Sequence, residues 1–268
     1  MGSISAALFI TFGIALGVSL PLAAETSKAP PGIGVDQKLS ARIPLDLTFK
    51  NEAGNAVKLR DFFNGKKKPI ILVPGYYRCP RLCSLIYNAV GTAVKGNLKH
   101  ELKPGEDYDI ISISVAPEET PELAAAKGKN YRKSLELTDM PPTAWRFLTG
   151  DAASIKSLTT SLGYRYRKDG DDYTHPAATI ILTPTGVISR YLDGLDIRSQ
   201  DFRFALIEAS GGRIGTVLDR AFQLCFRYDS TQGKYTPYAR RFVQLGGILT
   251  LVFLVGLILF LMRYERKA

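Results

Sequence analysis

A chain of 268 residues, 46% apolar and 22% charged, has room for one sizeable domain with appendages, and its composition excludes extensive disorder. Its formal net charge of +10 would raise nucleic acid as a partner in a soluble protein. Uncharged segments at both chain ends argue against nucleic acid and leave a solvated basic surface, an acidic partner or anionic lipid. Three cysteines are too few and too unevenly spaced for a disulfide framework.

Residues 2–24 carry no charge, with an apolar run over Ile4–Val18, a break at Pro21, and Ala23-Ala24 just before Glu25. This pattern fits a secretory signal. No Lys or Arg precedes the run and Leu22 sits three residues before the cleavage point, so an uncleaved signal anchor stays open beside a cleaved peptide. A Pro- and Gly-rich stretch from Glu25 reads as a linker. Short apolar runs within Ile43–Phe63, broken at Asn51–Asn55, predict a β-hairpin.

Ile70–Val73 and Asp109–Val115 are short continuous apolar runs, as expected of strands buried on both faces. Between them Leu82, Leu85, Ile86, Ala89, Val90, Ala93 and Val94 form one helical stripe, with a stop expected at Gly96-Asn97. Thr120-Pro121-Glu122 opens a second helix with a cap, a proline at the first position and an acid in the first turn. A short strand is expected over Trp145–Leu148, and a helix from Asp151 to Gly163. Thr179–Leu182 and Val187–Tyr191 flank Pro184-Thr185-Gly186, a hairpin signal. Ser199 is expected to cap a last helix of the domain, closed by Gly211-Gly212.

That order predicts an α/β thioredoxin-like fold: a βαβ unit, an inserted helix, then ββα, with a hairpin in front. The expected organisation is a signal segment over 1–24, a linker over 25–39, the domain over 40–212 and a connector over 213–241. A transmembrane helix over 242–262 and a tail over 263–268 complete it. Phe242–Met262 lacks charge and is long enough to cross a hydrocarbon core of ~30 Å. Basic residues flank it on both sides, so chain order sets the orientation: the domain is exported to the periplasmic side of a bacterial inner membrane.

The chemistry concentrates in Cys79-Pro80-Arg81-Leu82-Cys83, where a buried strand hands over to a helix. Pro80 suits the first helical position, which puts Cys79 near the N-cap and Cys83 on the same helical face. The positive end of the helix dipole, with Arg78 and Arg81, favours thiolates, the form that ligates soft metals or attacks disulfides. Inert buried cysteines or a plain disulfide are the bland alternative. His175, just before the hairpin strand at Thr179, is placed by thioredoxin topology beside the cysteines, whereas His100 lies in a polar run. Cys79, Cys83 and His175 form a mixed sulfur and nitrogen set that suits one copper ion, Cu(I) or Cu(II). A fourth Cys or His is missing nearby, which argues against a closed zinc site. Tyr76 stands three residues before Cys79, where a peroxiredoxin-type site places Thr. Cys225 reads as a membrane-proximal apolar residue.

Three motifs resemble the Sco/SenC family of copper chaperones: the run Pro69–Val94 with its Cys-Pro-x-x-Cys, the run Ser112–Thr120, and the stretch His175–Gly194 with Thr183-Pro184-x-Gly186. The resemblance covers roughly residues 40–210. It implies a thioredoxin fold and copper bound at Cys79, Cys83 and His175. It also implies a metallochaperone role in assembling the binuclear copper centre of cytochrome c oxidase subunit II. The alternative is a thiol–disulfide oxidoreductase in which Cys79 and Cys83 keep partner cysteines reduced. The chain departs from the family at Thr174 and Ala116, where members often carry Asp, and in anchoring from its C-terminal end.

Overall fold

The two apolar runs expected to be buried strands lie at the centre of the protein's computed structural model, which describes residues 32–63, 67–78, 82–137, 140–223 and 226–265. In chain order the strands begin with β1 (Gly34–Val35), β2 (Thr48–Lys50), β3 (Ala56–Lys58), β4 (Ile70–Gly75), β5 (Asp109–Ser114) and β6 (Trp145–Leu148). They continue with β7 (Tyr164–Arg165), β8 (Arg167–Asp169), β9 (Asp172–Thr174), β10 (Ala178–Leu182), β11 (Ile188–Asp193), β12 (Phe226–Asp229) and β13 (Lys234–Pro237). The α-helices are α1 (Leu82–Leu98), α2 (Pro121–Ser134), α3 (Ala152–Ser161), α4 (Ser199–Ala209), α5 (Val217–Gln223) and α6 (Ala239–Glu265).

The main sheet has five strands in the order β11-β10-β4-β5-β6. β5 pairs parallel to both β4 and β6, while β10 runs antiparallel to β4 and to β11. Every residue of β4, β5 and β10 is buried, which is why these segments read as unbroken apolar runs instead of alternating ones. β4-α1-β5 is the expected βαβ unit and β10-β11-α4 the ββα unit. α2, β6 and α3 lie between them in the chain. α1 packs against α4, α4 covers β10 and β11, and α2 lies on β6. The front hairpin forms as β2 and β3, joined through Asn51–Asn55.

Helix ends show where tertiary packing overrides local signals. α1 runs past its expected stop to Leu98 because Gly96 and Asn97 serve the contact with α4. A Cβ on Gly96 would lie 2.2 Å from the Ser199 hydroxyl, and the Asn97 amide donates to the carbonyls of Ala93 and Ser199. α2 begins as expected, with the Thr120 hydroxyl accepting from the Leu123 amide. Asp151 caps α3 through the Ser154 amide. α4 corrects the reading of Ser199 as a cap: the capping position is Arg198, whose guanidinium pairs with buried Asp201 one turn on.

The β12–β13 hairpin packs onto the domain. Tyr235 of β13 is buried, its hydroxyl donating to Glu208 of α4, and its ring meets Phe204 edge-on. The Tyr228 hydroxyl of β12 donates to the Tyr191 carbonyl of β11.

The expectation of a spanning helix is not borne out: among the described residues no helix is long and apolar enough to cross a membrane. Residues 242–262 fall within α6. Its exposed side chains include Leu249, Phe253 and Phe260. The signal segment 1–24 lies outside the described residues.

Candidate metal centre

The end of β4 delivers Tyr76, Tyr77 and Arg78 directly in front of the cysteine motif. Tyr77 is anchored twice: its hydroxyl donates to the Leu148 carbonyl at 2.7 Å and reaches the Ser112 carbonyl at 3.1 Å. Burial, with the nearby Glu119 carboxylate, pushes that phenol well above its ordinary range, so it stays a neutral donor. The backbone is held as well. The Tyr77 and Arg78 amides both donate to Glu119, at 2.7–2.8 Å, and the Ser114 hydroxyl donates to the same carboxylate at 2.6 Å.

Cys79 lies outside the described residues. So does the side chain of Cys83, whose backbone forms the first turn of α1. Cys225 and Arg81 also lie outside them. Among the described residues no group of three His, Cys, Asp or Glu side chains is placed to hold a metal ion.

His175 is described in full. It follows β9, is only 4% exposed, and packs edge-on against Tyr76 with ring centroids 5.9 Å apart. Topology thus brings it to the residue three before Cys79. Its Nδ1 lies 3.0 Å from the Pro176 carbonyl and 2.8 Å from the Tyr164 hydroxyl. The carbonyl can only accept, so a proton on Nδ1 would donate to it, the tautomer that leaves Nε2 as the ligating nitrogen. Metal-ligating histidines adopt this arrangement, the second nitrogen donating to a carbonyl that fixes tautomer and ring plane. Tyr164 supports the ring in two further ways: it stacks on it at 6.3 Å, and its hydroxyl lies 2.8 Å from the Pro176 carbonyl and 3.3 Å from that of Pro74.

Thr174, in β9, supplies no carboxylate. The carboxylate nearest in sequence to Ala116 that reaches the motif is Glu119. Sequence reasoning missed Glu119 and Tyr164 as site residues. Glu119 sits in a polar run that reads as a helix start, and Tyr164 sits in a strand of two residues. Beside the site is a cleft of about 650 Å³ whose lining includes Lys38, Lys156, Arg165 and Lys168 with Tyr164 and Tyr173. Burial and the Glu118 carboxylate push the Tyr173 phenol up to about 12. His100 is remote from all of this.

A family model described as SCO1/SenC matches residues 35–207. A protein of Aquifex aeolicus VF5, provisionally described as an electron transfer protein, has a similar structure: 26% identity and a TM-score of 0.55, covering 65% of this chain and 96% of its own. A second protein from the same organism, provisionally described as an electron transport protein, shows 25% identity and a TM-score of 0.51, covering 65% and 99%. BsSco, described as a member of the Sco family of cytochrome c oxidase assembly proteins, shares the fold at 19% identity and a TM-score of 0.51, covering 66% and 97%. A comparison with curated protein sequences finds no match.

Proposed function

The chain belongs to the SCO1/SenC family, and from that premise we propose that it is a copper chaperone whose cargo is held by Cys79, Cys83 and His175. The observation that carries the reading is the setting of His175: buried, next to Tyr76, with Nδ1 committed to the Pro176 carbonyl and Tyr164. A histidine in a thiol–disulfide reductase has no need of a fixed ligating tautomer. The donor set fits copper by its chemistry, since two thiolates satisfy Cu(I) and an added imidazole accommodates Cu(II). Copper itself supplies the soft acceptor that is passed on. The protein's part is to present two thiolates at a helix start and one oriented imidazole, and to keep water from the imidazole by burying it among tyrosines.

The recipient in this proposal is a copper-site protein such as cytochrome c oxidase subunit II, reached on the extracytoplasmic side. The cleft beside Tyr164 and Tyr173, lined by Lys38 and Lys156 together with Arg165 and Lys168 that pair with Asp36 and Glu118, supports docking of an acidic face there. Attachment to the membrane through α6 belongs to the same proposal, supported by its exposed apolar side chains from Ile248 to Phe260. The second reading, reduction of partner disulfides by Cys79 and Cys83, uses the same thiols.

Copper titration of the full-length reduced chain in detergent separates the two. The chaperone reading expects one equivalent bound, abolished by Cys79→Ser or Cys83→Ser. It expects His175→Ala to lose the thiolate-to-Cu(II) charge-transfer band while retaining part of the Cu(I) affinity. An unchanged Cu(II) spectrum in His175→Ala overturns the assignment of His175 and puts the reductase first.

A further inference from the structure

Glu119 is 5% exposed. A buried carboxylate is costly unless hydrogen bonds compensate it. Here the compensation shown comes from two consecutive amides and one hydroxyl. Both oxygens accept from the Tyr77 amide, one also accepts from the Arg78 amide, and the other from the Ser114 hydroxyl. Although Glu119 directly precedes the cap of α2, its carboxylate turns away from that helix and toward the chain leaving β4. Ser114 is held in turn, its hydroxyl also lying 3.2 Å from the Ala116 carbonyl and accepting from the Ala116 amide at 3.0 Å. A loop after β5 thereby grips the backbone of a loop after β4, and the last gripped amide belongs to the residue before Cys79.

We propose that Glu119 is the positioning residue of the thiol site: by holding the Tyr77 and Arg78 amides it fixes the direction in which the chain enters Cys79. This rests on the reading of Cys79 as a working thiol. Nothing simpler accounts for the arrangement, because an apolar side chain would fill the same space without the desolvation cost yet could not accept from two consecutive amides.

The test uses the full-length chain in detergent with three variants, Glu119→Ala, Glu119→Gln and Glu119→Asp, beside the remote core variant Leu206→Ala. Three quantities are read: exchange protection of the Tyr77 and Arg78 amides, the rate of Cys79–Cys83 disulfide formation in a glutathione buffer, and Cu(I) affinity by chelator competition. Glu119→Ala is expected to cut amide protection and Cu(I) affinity by about tenfold, the scale seen when outer-shell partners of a ligand are removed. Its disulfide rate is expected to shift by a similar factor. Glu119→Gln keeps one oxygen for both amides but sets its NH2 against the Tyr77 N–H that the other oxygen accepts, so its losses should lie between those of the parent and Glu119→Ala. If Glu119→Ala does not fold, Glu119→Asp takes its place, since drawing the oxygens back by one methylene should produce the same losses in smaller measure. Leu206→Ala should lower thermal stability and leave all three quantities unchanged. If the parent binds no copper, the chaperone reading fails, and amide protection with the disulfide rate decides the role of Glu119 alone. Parent-like values in a folded Glu119→Ala or Glu119→Asp, or equal losses in Leu206→Ala, overturn the proposal.

Discussion

Replacing Tyr164 with Phe removes one oxygen atom and tests how the imidazole is held. That oxygen lies 2.8 Å from His175 Nδ1, 2.8 Å from the Pro176 carbonyl and 3.3 Å from the Pro74 carbonyl, and the residue is 3% exposed. Pro176 keeps the His175 N–H, so the folded state loses about one net hydrogen bond and leaves the Pro74 carbonyl less well satisfied, a cost of about 1–2 kcal/mol. At ~2–4 °C per kcal/mol for a domain of this size, the melting temperature should fall by roughly 2–8 °C. The ring stays stacked, so the fold survives. The imidazole, however, gains freedom about the Cβ–Cγ bond, and Cu(II) affinity should fall by about 10–100-fold, as for other outer-shell partners of a ligating histidine. Thermal unfolding and Cu(II) titration of the full-length chain give both numbers. A double-mutant cycle supplies the decisive comparison, because in a His175→Ala background the Tyr164→Phe change should retain its stability cost but have no further effect on copper. An equal copper loss in that background, or none in the parent, refutes the argument that Tyr164 acts through His175.

Gly163 has φ +61°, and a Cβ there would lie 2.0 Å from the Asp36 carbonyl oxygen, so Gly163→Ala should destabilise by more than ~2 kcal/mol and detach the β1–β7 pair, seen as lost protection of the Asp36 amide. Burial alone would raise the Asp219 carboxyl, but the Thr216 amide and hydroxyl together with Arg203 outweigh it and hold the group below its ordinary value. A depressed folded value means stability present above about pH 4 and lost as pH falls through it, so Asp219→Asn should lower the melting temperature at pH 6 while flattening its decline between about pH 4 and 2. Parallel melting curves for parent and variant across that range would show that Asp219 contributes nothing to acid unfolding.

The parts of the fold legible in the sequence are those whose burial is complete. Ile70–Val73 and the Asp109 strand announce themselves because both faces are covered, and Thr120-Pro121 because capping is local chemistry. The edge pieces do not. Arg167–Asp169 carries no apolar side chain, and Lys234–Pro237 carries only Tyr235 facing inward, so neither has an alternation to read. Both become strands because they pair with a neighbouring segment, and in the second case because Tyr235 finds Phe204 and Glu208. At the site, the topology brings His175 against Tyr76, three residues before Cys79. Tyr164 and Glu119 were invisible for a different reason: what each does is set by its partners 11 and 42 residues away.

The docked hairpin also governs reach. Between the end of β13 at Pro237 and the start of α6 at Ala239 stands a single residue, Tyr238. A domain hung from a surface by a loose tether samples a hemisphere whose radius grows with the square root of tether length, and finds its target by sweeping. With one residue of slack there is almost no hemisphere. If α6 seats on a membrane as proposed, the single linking residue Tyr238 keeps the domain close to that seat, and an acceptor would have to meet it near the same surface. Inserting a Gly-Ser stretch after Pro237 would turn a fixed post into a swinging arm. It should broaden the range of acceptor geometries served while lowering the rate with an acceptor that already meets the domain near that surface.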